Sequence, residues 1–423
     1  MVDPATYINP YLTAPDRLVL DELLKDSQAP PKKRRSAVET HADSDADATV
    51  SKLEAFNDPQ HADFVPTVWF FWDLKDVKLH PLLDKWVLQP YIKTARSIVR
   101  VDTDVVMLTH LLLYFATSIP SAIYLFCNFH WVHGVLHWLM QSWYVGTYTL
   151  MMHQHIHMGG ILKKRFWWLF DLLFPYITDP LMGHTWNSYY YHHVKHHHVE
   201  GNGPEDLSST IRYQRDSLAD FACYVGRFYL FIWLELPTYF LRKGKVYFAL
   251  KAAFWEIGSY LMMYLMWNYV SWRATLFVFV LPFLQLRVGL MVGNWGQHAF
   301  VDETDPNSDF RSSITLIDVA SNRFCYNDGY HTSHHLNPRR HWRDHPVAFL
   351  RQKDRYAAEH ALVFRNIDYI MITVCLMCKN YRYLAKCLVP MGDQIGMTHD
   401  ELAEMLRRKT RRFSEEEIKR KFS

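Results

Sequence analysis

Histidines at short, regular spacings are the residues of this chain best suited to chemistry. The run 192–198 reads HHVKHHH and holds five imidazoles in seven residues. Imidazole is the commonest metal ligand in proteins, and a hydrophobic core needs no such density. If the run is an α-helix, His193, His196 and His197 are spaced i, i+3 and i+4, which puts all three on one face. The run is therefore predicted to bind metal.

Three further clusters repeat this helix-face spacing. His153 and His157 are spaced i, i+4, Asn294 and His298 are spaced i, i+4, and a triplet with the i, i+3, i+4 pattern begins at His331. The clustered histidines exceed what one ion can use, so they predict two metal ions with four or five ligands each. The predicted ligands are His153, His157, His193, His196, His197, His298, His331, His334 and His335.

Some neighbouring residues remain open. His155, His192 and His198 adjoin the clusters and are alternative ligands if the register differs. The acids Glu200, Asp206, Asp302 and Asp328 are candidates for orienting histidine rings by hydrogen bonds. Ligand type alone does not name the metal, because imidazole suits zinc, copper, iron and nickel.

Apolar segments must position these clusters. A membrane span needs about 20 apolar residues, and the segments at about 105–127, 131–152, 247–270 and 272–293 have that length. Short connections join them into two hairpins, so every histidine cluster emerges on one side of the membrane. Basic residues flank that side, which makes it cytosolic by the positive-inside rule. The predicted fold is an all-α integral membrane protein, with two transmembrane helical hairpins and a cytosolic histidine-rich helical cap.

The rest of the chain divides around this membrane body. Residues 1–60 are predicted to be a partly disordered cytosolic tail, 61–395 the membrane domain, and 396–423 a charged tail. The apolar segments 166–182 and 221–241 are predicted to lie at the interface, because spanning would scatter the clusters. A net charge of +3 gives no case for nucleic-acid binding. The 6 cysteines have neither zinc-knuckle nor disulfide-framework spacing.

The histidine clusters resemble the three histidine boxes of the membrane fatty acid desaturase and hydroxylase superfamily. The boxes correspond to His153-x-x-x-His157, His193-x-x-His196-His197 and His331-x-x-His334-His335. Asn294-x-x-x-His298 resembles the extra ligand motif of the acyl-CoA desaturases. The resemblance covers roughly residues 100 to 345. Its first box has three intervening residues rather than the four of the animal acyl-CoA enzymes, and the second carries extra histidines.

The resemblance implies two iron ions held by the nine histidines, with Asn294 reaching a metal through water. It implies O2 as co-substrate and oxidation of an unactivated C–H bond on a fatty acyl chain held in an apolar tunnel. No fused haem domain and no dinucleotide fingerprint is found in the sequence, so electrons are expected from a separate donor, such as cytochrome b5 with its reductase or a ferredoxin. The endoplasmic reticulum is the expected location.

Three alternatives stay open. The nearest is a hydroxylase, ketolase or acetylenase of the same superfamily, because box spacing does not separate these reactions. A histidine-rich membrane metal transporter and a zinc hydrolase are more remote. The sequence leaves open the substrate and its carrier, whether acyl-CoA, phospholipid or sphingolipid, together with the position oxidised, the electron donor and the oligomeric state.

Overall fold

The computed structural model of the chain describes residues 3–10, 12–28, 44–64, 66–69, 72–73, 79–317, 319, 322 and 325–422. These residues are mostly helical. In chain order the α-helices are α1 (Ala14–Gln28), α2 (Ser44–Asn57), α3 (Pro81–Leu83), α4 (Gln89–Ile98), α5 (Val105–Cys127), α6 (Trp131–Met158), α7 (Lys164–Leu181), α8 (His198–Glu200), α9 (Leu218–Arg242), α10 (Val246–Leu265), α11 (Trp272–Thr275), α12 (Leu281–Gln297), α13 (Asp309–Ser312), α14 (His331–Leu336), α15 (His345–Arg351), α16 (Lys353–Ala358), α17 (Tyr369–Met377), α18 (Tyr381–Cys387), α19 (His399–Lys409) and α20 (Glu415–Lys421).

Irregular helical turns and short strands complete these elements. Four segments are π-helical, namely Asp84–Leu88, Tyr190–His197, Met266–Val270 and Leu276–Val280. Strand β1 (Thr67–Trp69) pairs antiparallel with β2 (Trp72–Asp73), and β3 (Ile314–Leu316) pairs in parallel with β4 (Leu362–Phe364). The chain forms two compact units. One unit comprises Val65–Val199 and Val225–Met291; it is called the membrane unit here because it contains most of the predicted spans. The other, called the polar unit, comprises Met1–Phe64, Glu200–Tyr224 and Val292–Ser423.

The membrane unit contains the first predicted hairpin. Helices α5 and α6 are joined by residues 128–130 and are linked by buried polar side chains. Ser118 donates to Gln141 Oε1 at 3.0 Å, and the Ser121 hydroxyl lies 2.8 Å from a ring nitrogen of His133 and of His137. These contacts place small hydroxyl residues of α5 against α6, so the two helices lie side by side.

The second predicted hairpin lies in the same unit and is closed by a buried ion pair. Arg287 of α12 donates to Glu256 of α10, and Tyr260 donates to the same carboxylate at 2.5 Å. Thr185 donates to the other Glu256 oxygen at 2.7 Å. The Glu256 carboxylate therefore accepts hydrogen bonds from three side chains, and a buried charge requires such partners.

Two helices in the described part of the chain are long and apolar enough to cross a membrane. They are Val105–Cys127 and the helical run Trp272–Gln297, which correspond to the first and fourth predicted spans. The second and third predicted spans are helical, in α6 and in α10 with its π-helical extension, but do not meet the same test of length and hydropathy. The predicted interfacial segments are helical too, as α7 and α9.

The polar unit has a hydrophobic core of its own. One cluster gathers β3, β4, α17, α18 and α19, and includes Ile314, Phe364 and Leu406. The second cluster includes Val19, Leu20 and Leu23 of α1.

Both chain ends differ from the tails expected from composition. Within residues 1–60, the described segments 14–28 and 44–57 are helices, and α1 buries its apolar side in the core. Residues 29–43 lie outside the described residues. At the other end, Phe413 and Ile418 are buried with Ile211 and Val301. Apolar residues at helical spacing inside both charged segments account for this packing.

Candidate metal centre

The first histidine pair lies on the last turn of a long helix, as predicted. His153 and His157 belong to α6, and their ring centroids are 4.8 Å apart. Gly159 ends the helix in the left-handed conformation with φ of 67°, a conformation that glycine adopts without steric cost. The Arg100 guanidinium donates to the Met158 carbonyl. This cap fixes the direction of the turn that carries the pair.

The second box is helical but not α-helical, which changes the register. Tyr190–His197 is a π-helical segment, and a π-helix repeats at i, i+5. His193 and His198 therefore share a face. His193 Nε2 lies 2.8 Å from His153 Nε2 and 3.0 Å from His198 Nε2. The ring nitrogens that His153, His157, His193 and His198 offer all lie within 4.8 Å of one another.

The α-helical spacing expected for this run is therefore wrong within the membrane unit. His198, an alternative ligand in the sequence analysis, joins His153, His157 and His193. The His196 ring instead packs edge-on against Tyr239 at 4.2 Å. His192 packs against Phe228 at 5.2 Å.

Two other histidines of these boxes, His197 and His155, contact different groups. The His197 ring stacks on His193 at 5.5 Å and lies 5.5 Å from the His198 ring. His155 is directed away from the cluster: its Nε2 lies 3.0 Å from the Asp171 carbonyl and 3.5 Å from the Asp171 carboxylate. His155 and His193 therefore contact different residues, although both lie near the C-terminal end of α6.

The surroundings of His193 favour its neutral ring. Burial lowers the pKa of His193 well below its usual value, and the neighbouring imidazoles His198, His153, His157 and His197 lower it further. A neutral imidazole has the lone pair that a metal ion requires. Tyr189 stacks on the His193 ring at 5.0 Å with planes 28° apart, which fixes the ring orientation.

The donor set fits a metal ion. Two ring nitrogens come within about 3 Å when one donates a hydrogen bond to the other, and also when both bind one ion. Neighbouring nitrogen ligands at about 2.1 Å from an ion are separated by about 3.0 to 3.4 Å. The 2.8 Å and 3.0 Å separations around His193 are close to that geometry.

A second histidine set lies in the polar unit, on α14 and just after α12. His298 Nε2 lies 3.1 Å from His331 Nε2, and the His331 and His335 ring centroids are 4.5 Å apart. His298 Nδ1 lies 2.7 Å from the Ser312 carbonyl oxygen, which can only accept. This contact puts the proton on Nδ1 and leaves the Nε2 lone pair directed at His331. His334 is buried on the same short helix.

An acid that the sequence analysis did not select orients His335. Its Nδ1 lies 3.4 Å from Asp309 Oδ1. Two of the predicted orienting acids, Asp302 and Asp328, have other partners in the polar unit. Asp302 is paired with Lys409, and although burial acts to raise its pKa, the lysine lowers it to about 2. Asp328 accepts from Gln297 at 3.4 Å, and burial raises its pKa to about 7.

Asn294 sits one turn before His298 on α12, as its spacing predicted. Its amide nitrogen donates to the Ser208 carbonyl at 2.8 Å and to the Tyr224 hydroxyl at 2.7 Å. The backbone N–H of His298 donates to the Asn294 carbonyl at 3.0 Å. These bonds fix the end of α12 from which His298 projects.

The N-terminal helix supports the third box. Asp16 of α1 is fully buried, and its carboxylate accepts from the Tyr330 hydroxyl at 2.7 Å and from Asn322 Nδ2 at 3.2 Å. Asn322 Oδ1 in turn accepts from the Gly329 N–H at 2.9 Å. Gly329 and Tyr330 immediately precede His331. The sequence offered no signal for this contact, because more than 300 residues separate the partners.

A cavity of about 560 Å³ lies beside the four-histidine cluster, wholly within the membrane unit. Its wall includes Met152 and Ile156, which alternate with the ligating positions of α6, and Tyr189, which stacks on His193. The volume is in the range of small-molecule sites.

The comparisons with known proteins agree with this site. Residues 129–366 match the sequence profile of the family described as fatty acid desaturase. The match spans more than half of the chain and contains all four histidine clusters. The chain belongs to the fatty acid desaturase family. The comparisons with curated proteins and with solved structures returned no match.

Proposed function

We propose that this protein is an O2-dependent, iron-containing desaturase that introduces a double bond into a fatty acyl chain. The observation that carries the proposal is the convergence of His153, His157, His193 and His198 within one unit of a chain from this family. The histidines of the two sets are proposed to hold the two iron ions that the family resemblance implies.

The residues of the chain have defined tasks in this proposal. The His193 imidazole presents a lone pair, since burial lowers its pKa. Ser312 and Asp309 hold the tautomers of His298 and His335. The cavity beside α6 holds the acyl chain in one position, because oxidation of one C–H bond requires that bond to be held in a fixed geometry relative to the metal site.

The bound iron would supply the oxidising chemistry. In the overall reaction, two hydrogen atoms leave adjacent carbons of the chain. O2 takes up these hydrogens together with two electrons and two protons, and forms two waters. The electrons come from a separate donor, for which cytochrome b5 with its reductase or a ferredoxin are proposed.

Hydroxylation of the same chain is the second candidate, because the same histidine sets serve both reactions. A metal transporter is disfavoured by the second hairpin. The Glu256 carboxylate, the main acid in the predicted spans, is taken up by Arg287, Tyr260 and Thr185 rather than directed to a transport pathway. If the protein were a zinc hydrolase, the purified protein would contain zinc and no iron.

The membrane location is supported by the two apolar helices and by the family. We further propose that the histidine-rich side faces the cytosol and that the protein resides in the endoplasmic reticulum. The basic residues that flank the apolar segments on that side support this orientation.

Expression in a yeast that lacks its own desaturase tests the proposal. Lipids are analysed by mass spectrometry, and iron and zinc are counted in the purified protein. The wild type is expected to form a new double bond and to contain iron. His193→Ala is expected to abolish the product and to lower bound iron, since its ring nitrogen lies nearest to two other ligands.

The matched control is His360→Ala, which removes an exposed histidine whose described partner is the surface residue Asp393. It should leave product and iron unchanged. A hydroxylated product with the same iron would move the reaction to the second candidate. Zinc alone, with no oxidised lipid, would refute the oxygenase chemistry.

A further inference from the structure

A fully buried arginine of the polar unit connects the C-terminal tail, residues 396–423, to the end of α12. Arg215 is 0% exposed, and its guanidinium donates five hydrogen bonds. The acceptors are all backbone carbonyls, those of Ala299 at 3.0 Å, Thr210 at 3.1 Å, Tyr213 at 3.2 Å, Lys409 at 2.9 Å and Arg411 at 2.6 Å. A guanidinium has five N–H donors in a fixed plane. Because a buried charge requires such partners, the arginine fixes the positions of these five carbonyls relative to one another.

Three hydrogen bonds connect this arginine and its own segment to the backbone around His298. The Arg215 guanidinium donates to the carbonyl of Ala299, the residue after His298. Trp295 Nε1 donates to the Arg215 carbonyl at 3.1 Å, and the Thr210 hydroxyl donates to the His298 carbonyl at 2.7 Å. The chain is therefore held before, at and after His298.

The position of the His298 backbone determines where its ring nitrogens lie, because the side chain has only two torsions with restricted values. Nδ1 lies 2.7 Å from the Ser312 carbonyl, and Nε2 lies 3.1 Å from His331 Nε2. A metal ion requires ligand distances within about 0.2 Å of their ideal values. A small shift of this backbone would therefore move Nε2 out of a binding geometry.

The C-terminal tail contacts both the arginine and the chain that follows His298. The Thr410 carbonyl accepts from the Arg215 N–H at 2.9 Å, and the Lys409 carbonyl accepts from the Val301 N–H at 2.9 Å. The centre of the Phe413 ring lies 5.8 Å from Arg215 Cζ. The tail thus forms one side of the hydrogen-bonded frame around the histidine.

We propose that Arg215 is a positioning residue of the metal centre, through which the C-terminal tail holds His298 in the orientation that binds metal. Arg215 acts on the ion through the backbone at Ala299 and His298, whereas the histidine ring provides the ligand atom. The inference rests on the proposed function only in taking His298 as a metal ligand. It requires neither iron nor a particular lipid.

Co2+ binding to metal-free protein in detergent micelles tests the inference without turnover. Every protein in the series carries His193→Ala, so that the ion measured is the one bound by the histidine set of the polar unit. Arg215→Lys keeps the charge, but its three donors share one nitrogen and cannot reach five carbonyls. It is expected to raise the Co2+ dissociation constant about tenfold. The visible absorption of Co2+ should change as well, because it reports ligand geometry.

Thr210 provides a second and milder test, in case the buried arginine cannot be replaced without unfolding. Thr210→Val keeps the shape of the side chain but removes the hydroxyl that donates to the His298 carbonyl. It should raise the Co2+ dissociation constant about fivefold, the value of one hydrogen bond. Thr210→Ser restores a hydroxyl and should recover most of the affinity.

Two controls separate positioning from a general effect on the fold. Arg212→Gln alters the same segment, but the described partners of Arg212 are Glu415 of the tail and the Pro204 carbonyl. It should change the dissociation constant less than about twofold. Leu384→Ala leaves a cavity in the core of the polar unit and should lower the unfolding temperature, with Co2+ affinity and absorption unchanged.

The outcomes decide the inference in each case. Unchanged Co2+ affinity in both Arg215→Lys and Thr210→Val would overturn it, as would equal losses in Arg212→Gln or in Leu384→Ala. Absence of Co2+ binding in the His193→Ala parent would also overturn it, since His298 would then belong to no separate metal site. A failure of the proposed oxidation would instead appear as normal Co2+ binding with no oxidised lipid.

Discussion

The imidazole of His198 shows how one residue's role depends on the helix type beneath it. On an α-helix His193 would align with His196 and His197, whereas the π-helical turn aligns it with His198. The sequence identified the run as a candidate metal site but did not predict this register. No local feature of the sequence HHVKHHH distinguishes an α-helix from a π-helix, because the run is rich in histidine whichever helix it forms.

The register is testable by paired substitutions. His198→Gln is expected to roughly halve the bound iron, because it removes one ligand of the four-histidine cluster. His196→Gln should leave iron unchanged, since that ring packs on Tyr239. Metal counting on the two purified variants is the measurement. Equal losses of iron in both variants would indicate that the run has the α-helical register instead.

Asp309 acts on the metal only through His335. Asp309→Ala should lower metal affinity about 10- to 100-fold, the usual effect of losing a carboxylate that orients a histidine ligand. Titration of the metal-free protein with Co2+, followed by its absorption, gives the affinity. The control is Asp305→Ala, an exposed acid in the loop that precedes α13. A normal affinity in Asp309→Ala would show that the ring needs no such partner.

At the scale of elements, the helices that carry histidines were the most predictable part of the fold. Their apolar length and the glycines after His157 are local signals. The role of α1 was not predictable. Its composition is polar, and its decisive contact joins Asp16 to Tyr330 across the chain, so composition alone predicted a tail.

Removal of the Asp16 carboxylate tests whether α1 stabilises the third box through Tyr330. Asp16→Ala leaves the Tyr330 hydroxyl buried without its acceptor, which should lower the free energy of unfolding by about 1–3 kcal/mol. Asp16→Asn keeps an acceptor and should recover part of the loss. Denaturant unfolding in micelles measures both.

The control for this experiment is Asp21→Ala on the same helix. Asp21 is exposed and forms an i, i+4 pair with Arg17, so its loss should cost less than about 0.5 kcal/mol. If Asp16→Ala were as stable as this control, α1 would not support the third box. Co2+ affinity of Asp16→Ala is expected to fall as well, because Tyr330 precedes His331.

At the scale of the whole molecule, the sequence predicted membrane hairpins, and the structure contains helices at all four positions. Two of them meet the test of length and hydropathy. The second carries histidines, and the third carries Lys251 and Glu256, which lower their hydropathy. Hydropathy alone therefore does not identify these two helices as spans.

Cysteine labelling tests the proposed orientation. Cys127 is exposed at the end of α5, in the connection of the first hairpin. In a variant that keeps only Cys127, a membrane-impermeant maleimide should not label sealed microsomes until they are permeabilised, because the proposed orientation puts this connection in the lumen. A variant with only Thr304→Cys, in an exposed loop near His298, should be labelled at once. The opposite pattern would invert the orientation.

The buried carboxylate of Asp16 also limits how far the N-terminus can be shortened for experiments. A chain trimmed at residue 60 would be a natural choice for crystallisation, since the first 60 residues look dispensable by composition. Such a chain would lose the acceptor of Tyr330 and the apolar side of α1 together. Affinity tags attached by a long spacer to an intact N-terminus would avoid that damage. Inactivity of a shortened chain would report on the third box and not on the chemistry of the family.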